Sequence, residues 1–216
     1  ATPAGCDCTD LVPACDSPGR DCHALVLPPC CAGTDRGYTG KPRLFFRVNG
    51  VDLFLRGANF VSVDALESRA NTSRYRQLIE SARDSHFQIF RVNGDANYFK
   101  DEFYDLCSEM GILVWQEFMF SDCNYGAAVN ASLETPNNSS SPVSSFLPNV
   151  RAEVQHQVRR LSHQPSIAMW ISNNEILDPS DAQWRELFIN TIVKTLVEED
   201  TARPVWPAGN SNGWLS

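Results

Sequence analysis

Apolar runs of strand length alternate with amphipathic helical patterns from about residue 53 to residue 207. Polar or charged residues recur where the successive strands end. These two observations predict an α/β fold, a partial TIM (β/α)8 barrel of about five βα units. Ahead of it the chain differs in kind. Residues 1–40 form a short cysteine-rich segment, and residues 41–216 form the barrel portion, which opens with a β-hairpin. Strands that are apolar throughout imply a parallel sheet covered on both faces. No glycine-rich phosphate loop follows the first of them, which disfavours a dinucleotide-binding version of the fold.

The hairpin is expected because two apolar stretches flank Asn49-Gly50, a dipeptide suited to tight hairpin turns. The first barrel strand is expected over 53–59. A helix follows over 72–85, with Tyr75, Leu78, Ile79 and Ala82 on one face and Thr72 or Ser73 as its cap. Strand 87–92 leads into a helix over about 100–110, which Gly111 ends, and then into strand 112–118. The Asn-, Ser- and Pro-rich stretch 121–145 reads as a long loop above the barrel. A helix then begins near Pro148 and runs to about residue 162, with Val150, Val154, Val158 and Leu161 as its buried stripe. Strand 167–171, a helix over roughly 181–199 and a short strand over 204–207 complete the pattern.

Composition narrows the function. An apolar fraction of 43% is that of a globular chain able to bury a core. A net charge of −8 without any basic cluster argues against nucleic acid or an anionic membrane as partner. No apolar run reaches the roughly 18 residues that a membrane span requires. Ala1-Thr2-Pro3 reads as a mature or trimmed start, with no signal peptide visible. Cys6, Cys8, Cys15, Cys22, Cys30 and Cys31 crowd a Pro- and Gly-rich segment that cannot build its own core. They are disulfide candidates in an oxidising compartment. Paired C-x2-C knuckles are lacking, so disulfides are preferred to a zinc site that would enlist His23, and no metal or other cofactor is expected. Asn71, Asn130, Asn137 and Asn138 lie in glycosylation sequons, which points to the secretory pathway, with a secreted or lysosomal destination.

Five ordered motifs carry chemistry. They are Arg56-Gly57-Ala58-Asn59-Phe60, Arg91-Val92-Asn93-Gly94, Phe103-Tyr104-Asp105-Leu106-Cys107, the stretch from Gly111 through Trp115-Gln116-Glu117-Phe118-Met119-Phe120, and Ser172-Asn173-Asn174-Glu175. In the last, an apolar strand stops on two amides and a carboxylate, as a barrel does where it presents reactive groups. Together the motifs resemble the catalytic barrel of glycoside hydrolase family 2, and most closely its β-mannosidases, over about residues 43–214. The segment 1–40 does not resemble the β-sandwich domains that normally precede such a barrel.

The resemblance implies a retaining glycosidase that hydrolyses terminal β-mannosides of glycans, with Glu175 as general acid/base and Asn174 as the amide that meets the sugar 2-hydroxyl. An apolar neighbourhood of Trp170 and Ile171 would help to keep the Glu175 carboxyl protonated. Arg91, Asn93, Trp115, Gln116 and Glu117 are the remaining candidates for substrate contact, and Tyr98 could add an aromatic wall. The β-mannosidase pattern has Trp where Asn93 stands and Asp where Glu117 stands. A retaining enzyme also needs a nucleophilic carboxylate about 5–5.5 Å from the acid. The family places it on the seventh strand, and this chain supplies five. The chain is therefore expected to be a fragment or processed part that lacks the nucleophile, with a second chain as one way of completing the barrel. Other readings stay open: Asn173-Asn174-Glu175 as no more than a cap on the next helix, a non-catalytic carbohydrate-binding or scaffold pseudoenzyme, or the same chemistry on a β-galactoside or β-glucuronide.

Overall fold

A computed structural model describes residues 46–48, 51–134 and 145–211. It divides into two units, Ala1–Arg56 and Gly57–Ser216. In the first, β1 (Phe46–Val48) pairs antiparallel with β2 (Val51–Leu53), and Val48 lies opposite Val51, so the hairpin forms where it was expected. Leu53 belongs to this hairpin and not to the first barrel strand. The six clustered cysteines, His23, Asn137 and Asn138 lie outside the described residues.

The second unit is the α/β portion. Its strands are β3 (Gly57–Asn59), β4 (Ile89–Val92), β5 (Leu113–Glu117), β6 (Ile167–Ile171) and β7 (Val205–Trp206). They form one sheet in sequence order, every neighbouring pair parallel. This is the topology of successive βα units in a barrel wall. The edges of this sheet are β3 and β7, and the first barrel strand, expected over 53–59, starts at Gly57. Gly57 lets β3 approach closely, since a Cβ there would lie 1.8 Å from the Ile89 carbonyl oxygen.

Helices α1 (Thr72–Asp84) and α2 (Asp101–Met110) follow β3 and β4. The cap of α1 is Asn71, not Thr72 or Ser73: Arg74 N donates to Asn71 Oδ1 at 3.1 Å. Tyr75, Ile79 and Ala82 are buried as expected, whereas Leu78 is exposed at 42%. Leu78 directly precedes Ile79 and is turned about 100° away from it on a helix. Gly111 ends α2 in the left-handed conformation that favours glycine, with φ 71°. The first half of the core is aromatic: Phe60, Phe90, Phe99, Phe103 and Tyr75 pack ring against ring, with Phe60 and Phe99 each 4.8 Å from Phe103.

The stretch read as a loop contains helix α3 (Gly126–Glu134), and α4 (Phe146–Leu161) starts ahead of Pro148. Val150, Val154, Val158 and Leu161 are its buried stripe. After β6, α5 (Ala182–Trp184) runs through a π-helical stretch, Arg185–Val193, into α6 (Lys194–Glu199). Behind the sheet, Trp170 donates from Nε1 to Asp200 at 2.9 Å, and Arg203 pairs with Asp200 while also donating to the Gln164 and Ile167 carbonyls. No described helix is long and apolar enough to cross a membrane.

Candidate active site

Strand register decides which side chains meet. Asn59, Arg91 and Trp115 are partners across β3, β4 and β5, so they share one face of the sheet. Glu117, two residues beyond Trp115, shares that face as well. Arg91 is the hub. Its Nε donates to Glu117 Oε1 at 2.9 Å, its Nη1 to Asn59 Oδ1 at 3.2 Å and its Nη2 to Asn174 Oδ1 at 2.6 Å. One guanidinium thus ties together residues at the C-terminal ends of β3, β5 and β6, using the fixed donor fork that suits arginine to such work.

The Glu117 side chain is wholly buried. Its second oxygen accepts from Gly94 N at 2.8 Å. Burial pushes its carboxyl above the usual range, while Arg91 and the Gly94 amide pull the other way. Gly209 covers this pair so closely that a Cβ there would sit 2.8 Å from both Arg91 Nη2 and Glu117 Oε1.

Asn174 is equally enclosed. Its Nδ2 donates to Asp95 Oδ2 at 3.1 Å and to Ser121 Oγ at 3.0 Å, while Oδ1 faces Arg91. Asn93 Nδ2 donates to the same Asp95 oxygen at 3.2 Å. The Asn93 side-chain oxygen is buried and has no partner.

Glu175 stands out from this network. It is exposed, and its backbone takes the left-handed region, with φ 57°. That conformation costs a β-carbon-bearing residue about 1–2 kcal/mol. Hydrogen bonds on either side hold it in place. Asn174 N donates to the Phe120 carbonyl at 2.9 Å, Gly209 N to the Asn173 carbonyl at 2.9 Å, and Ile176 N to Asn173 Oδ1 at 3.1 Å. Asn210 Nδ2 donates to the Glu175 carbonyl at 3.2 Å. The motif is not a helix cap, because the next helix begins at Ala182 with Asp181 as its cap. The expected apolar wall is absent as well. Trp170 is fully buried in the packing behind the sheet and bonded to Asp200, while Glu175 faces solvent.

Other expected site residues divide. Gln116 is turned to the helix layer, where Tyr104 Oη donates to its Oε1 at 2.8 Å, and so does not reach the mouth. Adjacent strand residues alternate faces, so Gln116 points opposite Arg91 and Trp115. Tyr98 bridges Glu153 and Met119 N through its hydroxyl and packs on Phe118. Asn71 and Asn130 are exposed, but both amides are engaged, Asn130 accepting from Gln183 at 3.0 Å. Cys107 is buried and Cys123 exposed, and no disulfide joins them. Burial pushes the Cys107 thiol up, which makes it an inert packing group.

Asp95, Ser121 and Gly209 were missed by the sequence reading. Asp95 lay two residues beyond a recognised motif residue, which was the one available signal. A cavity of about 290 Å³ is lined by Tyr125, Ile176, Asp178, Trp184 and Phe188, and Glu175 is not part of its wall. Among the described residues no group of three or more His, Cys, Asp or Glu is placed to hold a metal ion.

A parallel wall of βα units with its polar network at the C-terminal strand ends defines a partial TIM barrel. A family model described as glycosyl hydrolases family 2, TIM barrel domain, matches residues 45–213, and the chain belongs to that family. A β-mannosidase of Mus musculus is 34% identical over 196 residues, which is 83% of this chain and 21% of the relative. A β-mannosidase B of Aspergillus clavatus is 40% identical over 131 residues, 61% of this chain and 14% of that protein. The crystal structure of a β-D-mannosidase from Dictyoglomus thermophilum superposes with a TM-score of 0.61 at 28% identity, covering 77% of this chain and 20% of that one. The chain thus spans about a fifth of the length of the mouse and Dictyoglomus proteins.

Proposed function

We propose that this chain carries the proton-transfer half of a retaining β-mannosidase-like glycoside hydrolase, with Glu175 as general acid/base. The observation that carries the reading is the presentation of Glu175. An exposed carboxyl on a strained, firmly held backbone stands at a barrel strand end, next to an amide whose orientation Arg91 fixes. Strain maintained by surrounding hydrogen bonds belongs with sites that act on a ligand. In the first step Glu175 gives its proton to the leaving glycosidic oxygen, and in the second it takes one from the attacking water. Glu175 is open to solvent in the unliganded chain and so is free to meet a bound sugar. The cavity beside Ile176 leaves room for a leaving group.

Glu117 does not serve as the nucleophile in this reading. It is fully buried and each oxygen accepts a hydrogen bond, so neither is available for attack on an anomeric carbon. The nucleophile comes from further along the natural polypeptide or from a second chain. The relatives named β-mannosidase support β-mannosides of glycans as the substrate, and the sequons at Asn71 and Asn130 support a secreted or lysosomal glycoprotein. One observation favours the non-catalytic alternative: both Asn174 amide hydrogens already have protein acceptors, so a sugar hydroxyl must displace one of them.

Hydrolysis of 4-nitrophenyl β-mannoside by the polypeptide read through its natural frame past Ser216 tests the proposal. Turnover that falls at least a hundredfold in Glu175→Gln supports it. Turnover unaffected by that change refutes the acid/base role, and a natural stop at Ser216 with no partner chain and no turnover refutes the hydrolase.

A further inference from the structure

Both hydrogens of the Asn174 amide are committed within the protein. The residue is buried, its Oδ1 accepts from Arg91 at 2.6 Å, and its Nδ2 donates to Asp95 Oδ2 at 3.1 Å and to Ser121 Oγ at 3.0 Å. The amide cannot turn over, because its oxygen would then face the Asp95 carboxylate and its nitrogen the Arg91 guanidinium. A ligand hydroxyl that accepts from this amide must therefore take the place of Asp95 or of Ser121.

The two partners differ in how readily they withdraw. The Asp95 carboxylate makes a charge-assisted bond, and Asn93 Nδ2 holds the same oxygen at 3.2 Å. Ser121 is neutral and half-buried, and its hydroxyl stands between the buried Asn174 and the exposed Asp122. Ser121 Oγ donates its one hydrogen to Asp122 Oδ2 at 3.2 Å, which leaves only lone pairs for Asn174. Accepting from an amide while donating to a carboxylate is also the bonding pattern of a sugar hydroxyl. The backbone is shaped around this contact. Asp122 takes the left-handed region, with φ 44°, as Glu175 does at the neighbouring strand end. Asn174 N donates to the Phe120 carbonyl at 2.9 Å, and Tyr125 Oη donates to the Ser121 carbonyl at 3.4 Å. The chain is thus held on both sides of the Ser121 side chain, whose hydroxyl leaves Asn174 by rotation about a single bond.

We propose that Ser121 is a specificity-determining placeholder. Its hydroxyl occupies Asn174 where the sugar 2-hydroxyl belongs, and a β-glycoside binds by displacing it. The identity of that hydroxyl rests on the reading above, in which Asn174 meets position 2. A sugar with a 2-hydroxyl restores the bond that Ser121 gives up. A sugar without one leaves a buried amide hydrogen unpaired once Ser121 has turned away. Ser121 therefore lowers affinity in general and makes it depend on position 2.

Calorimetric titration of the complete polypeptide with D-mannose and with its 2-deoxy counterpart tests this without requiring turnover. Ser121→Ala removes the placeholder and leaves one Asn174 hydrogen unpaired until the sugar arrives. Mannose is expected to bind this variant about tenfold more tightly than the parent, the scale of one buried donor satisfied on binding. The 2-deoxy sugar is expected to gain nothing. Ser121→Thr, which keeps the hydroxyl, is expected to bind both sugars as the parent does. Four results would each overturn the placeholder: mannose binding that is unchanged or weaker in Ser121→Ala, an equal gain for the 2-deoxy sugar, the same gain in Ser121→Thr, or no mannose binding by parent and variants alike. Any of these beside Glu175-dependent hydrolysis of 4-nitrophenyl β-mannoside leaves the glycosidase reading intact. A mannose-selective gain in a complete polypeptide without turnover keeps the placeholder and removes the hydrolase.

Discussion

The ends of β5 and β6 lie side by side and treat a glutamate in opposite ways. Glu117 is fully buried, both its oxygens accept hydrogen bonds, and a glycine is required above it. Glu175 is exposed on left-handed backbone and has no ion-pair partner among the described residues. A carboxylate whose every acceptor is engaged acts as a fixed anion. It positions Arg91, which in turn positions Asn174. A carboxylate displayed on held backbone can exchange a proton with whatever occupies the mouth. Residue type is the same in both places, and the partners decide which one supports and which one reacts.

The contrast is broken most directly by exchanging the burdens. Glu175→Gln is expected to lower turnover of an aryl β-mannoside in the complete polypeptide by about 10²–10⁴-fold, the range of a lost general acid. Its free energy of unfolding should stay within about 0.5 kcal/mol of the parent, as at other exposed positions. A large loss of stability would show that Glu175 also supports the fold. Glu117→Ala should do the reverse in urea unfolding and cost about 2–4 kcal/mol, because it strands Arg91 and the Gly94 amide in the interior. The lower part of that range applies if the partly exposed Arg91 side chain recovers water.

Legibility from sequence follows the same division. Strand order and the stop at Asn173-Asn174-Glu175 could be read because apolar runs and their ends are local patterns. The strand period of two also separates Trp115, abreast of Arg91, from Gln116, which faces α2, and the sequence reading did not apply it. Helix α3 was hidden by polar neighbours, although Ala127, Ala128, Val129, Ala131 and Leu133 supply its apolar content. Asp95, Ser121 and Gly209 reach the site across 79, 53 and more residues of chain, through turns that no periodicity announces. The exposure of Glu175 was also out of reach, since sequence neighbours such as Trp170 need not be spatial ones.

Gly209 sharpens the comparison from the other side. Gly209→Ala introduces a methyl 2.8 Å from both members of the Arg91–Glu117 pair, with little slack because Gly209 N is bonded to the Asn173 carbonyl. A cost of about 1–3 kcal/mol in urea unfolding is expected, typical of overpacking. Activity should fall with it, because Arg91 moves and carries Asn174. A neutral substitution would mean that the pair can part without consequence.

The smallest effect concerns the protonation of Glu117. Its folded-state carboxyl is raised above the ordinary value of 4.5, chiefly by burial, so near that value the folded chain binds a proton there more readily than the unfolded one. The resulting stabilisation is complete below the unfolded value and is lost as pH rises through the folded one. Glu117→Gln cannot titrate and so lacks this term. The stability of the parent minus that of Glu117→Gln, from urea midpoints taken between about pH 4 and 7, should therefore decrease as pH rises. An increasing difference would mean that Arg91 and the Gly94 amide outweigh burial, and that Glu117 is held as a carboxylate by its partners at every pH where the chain is folded.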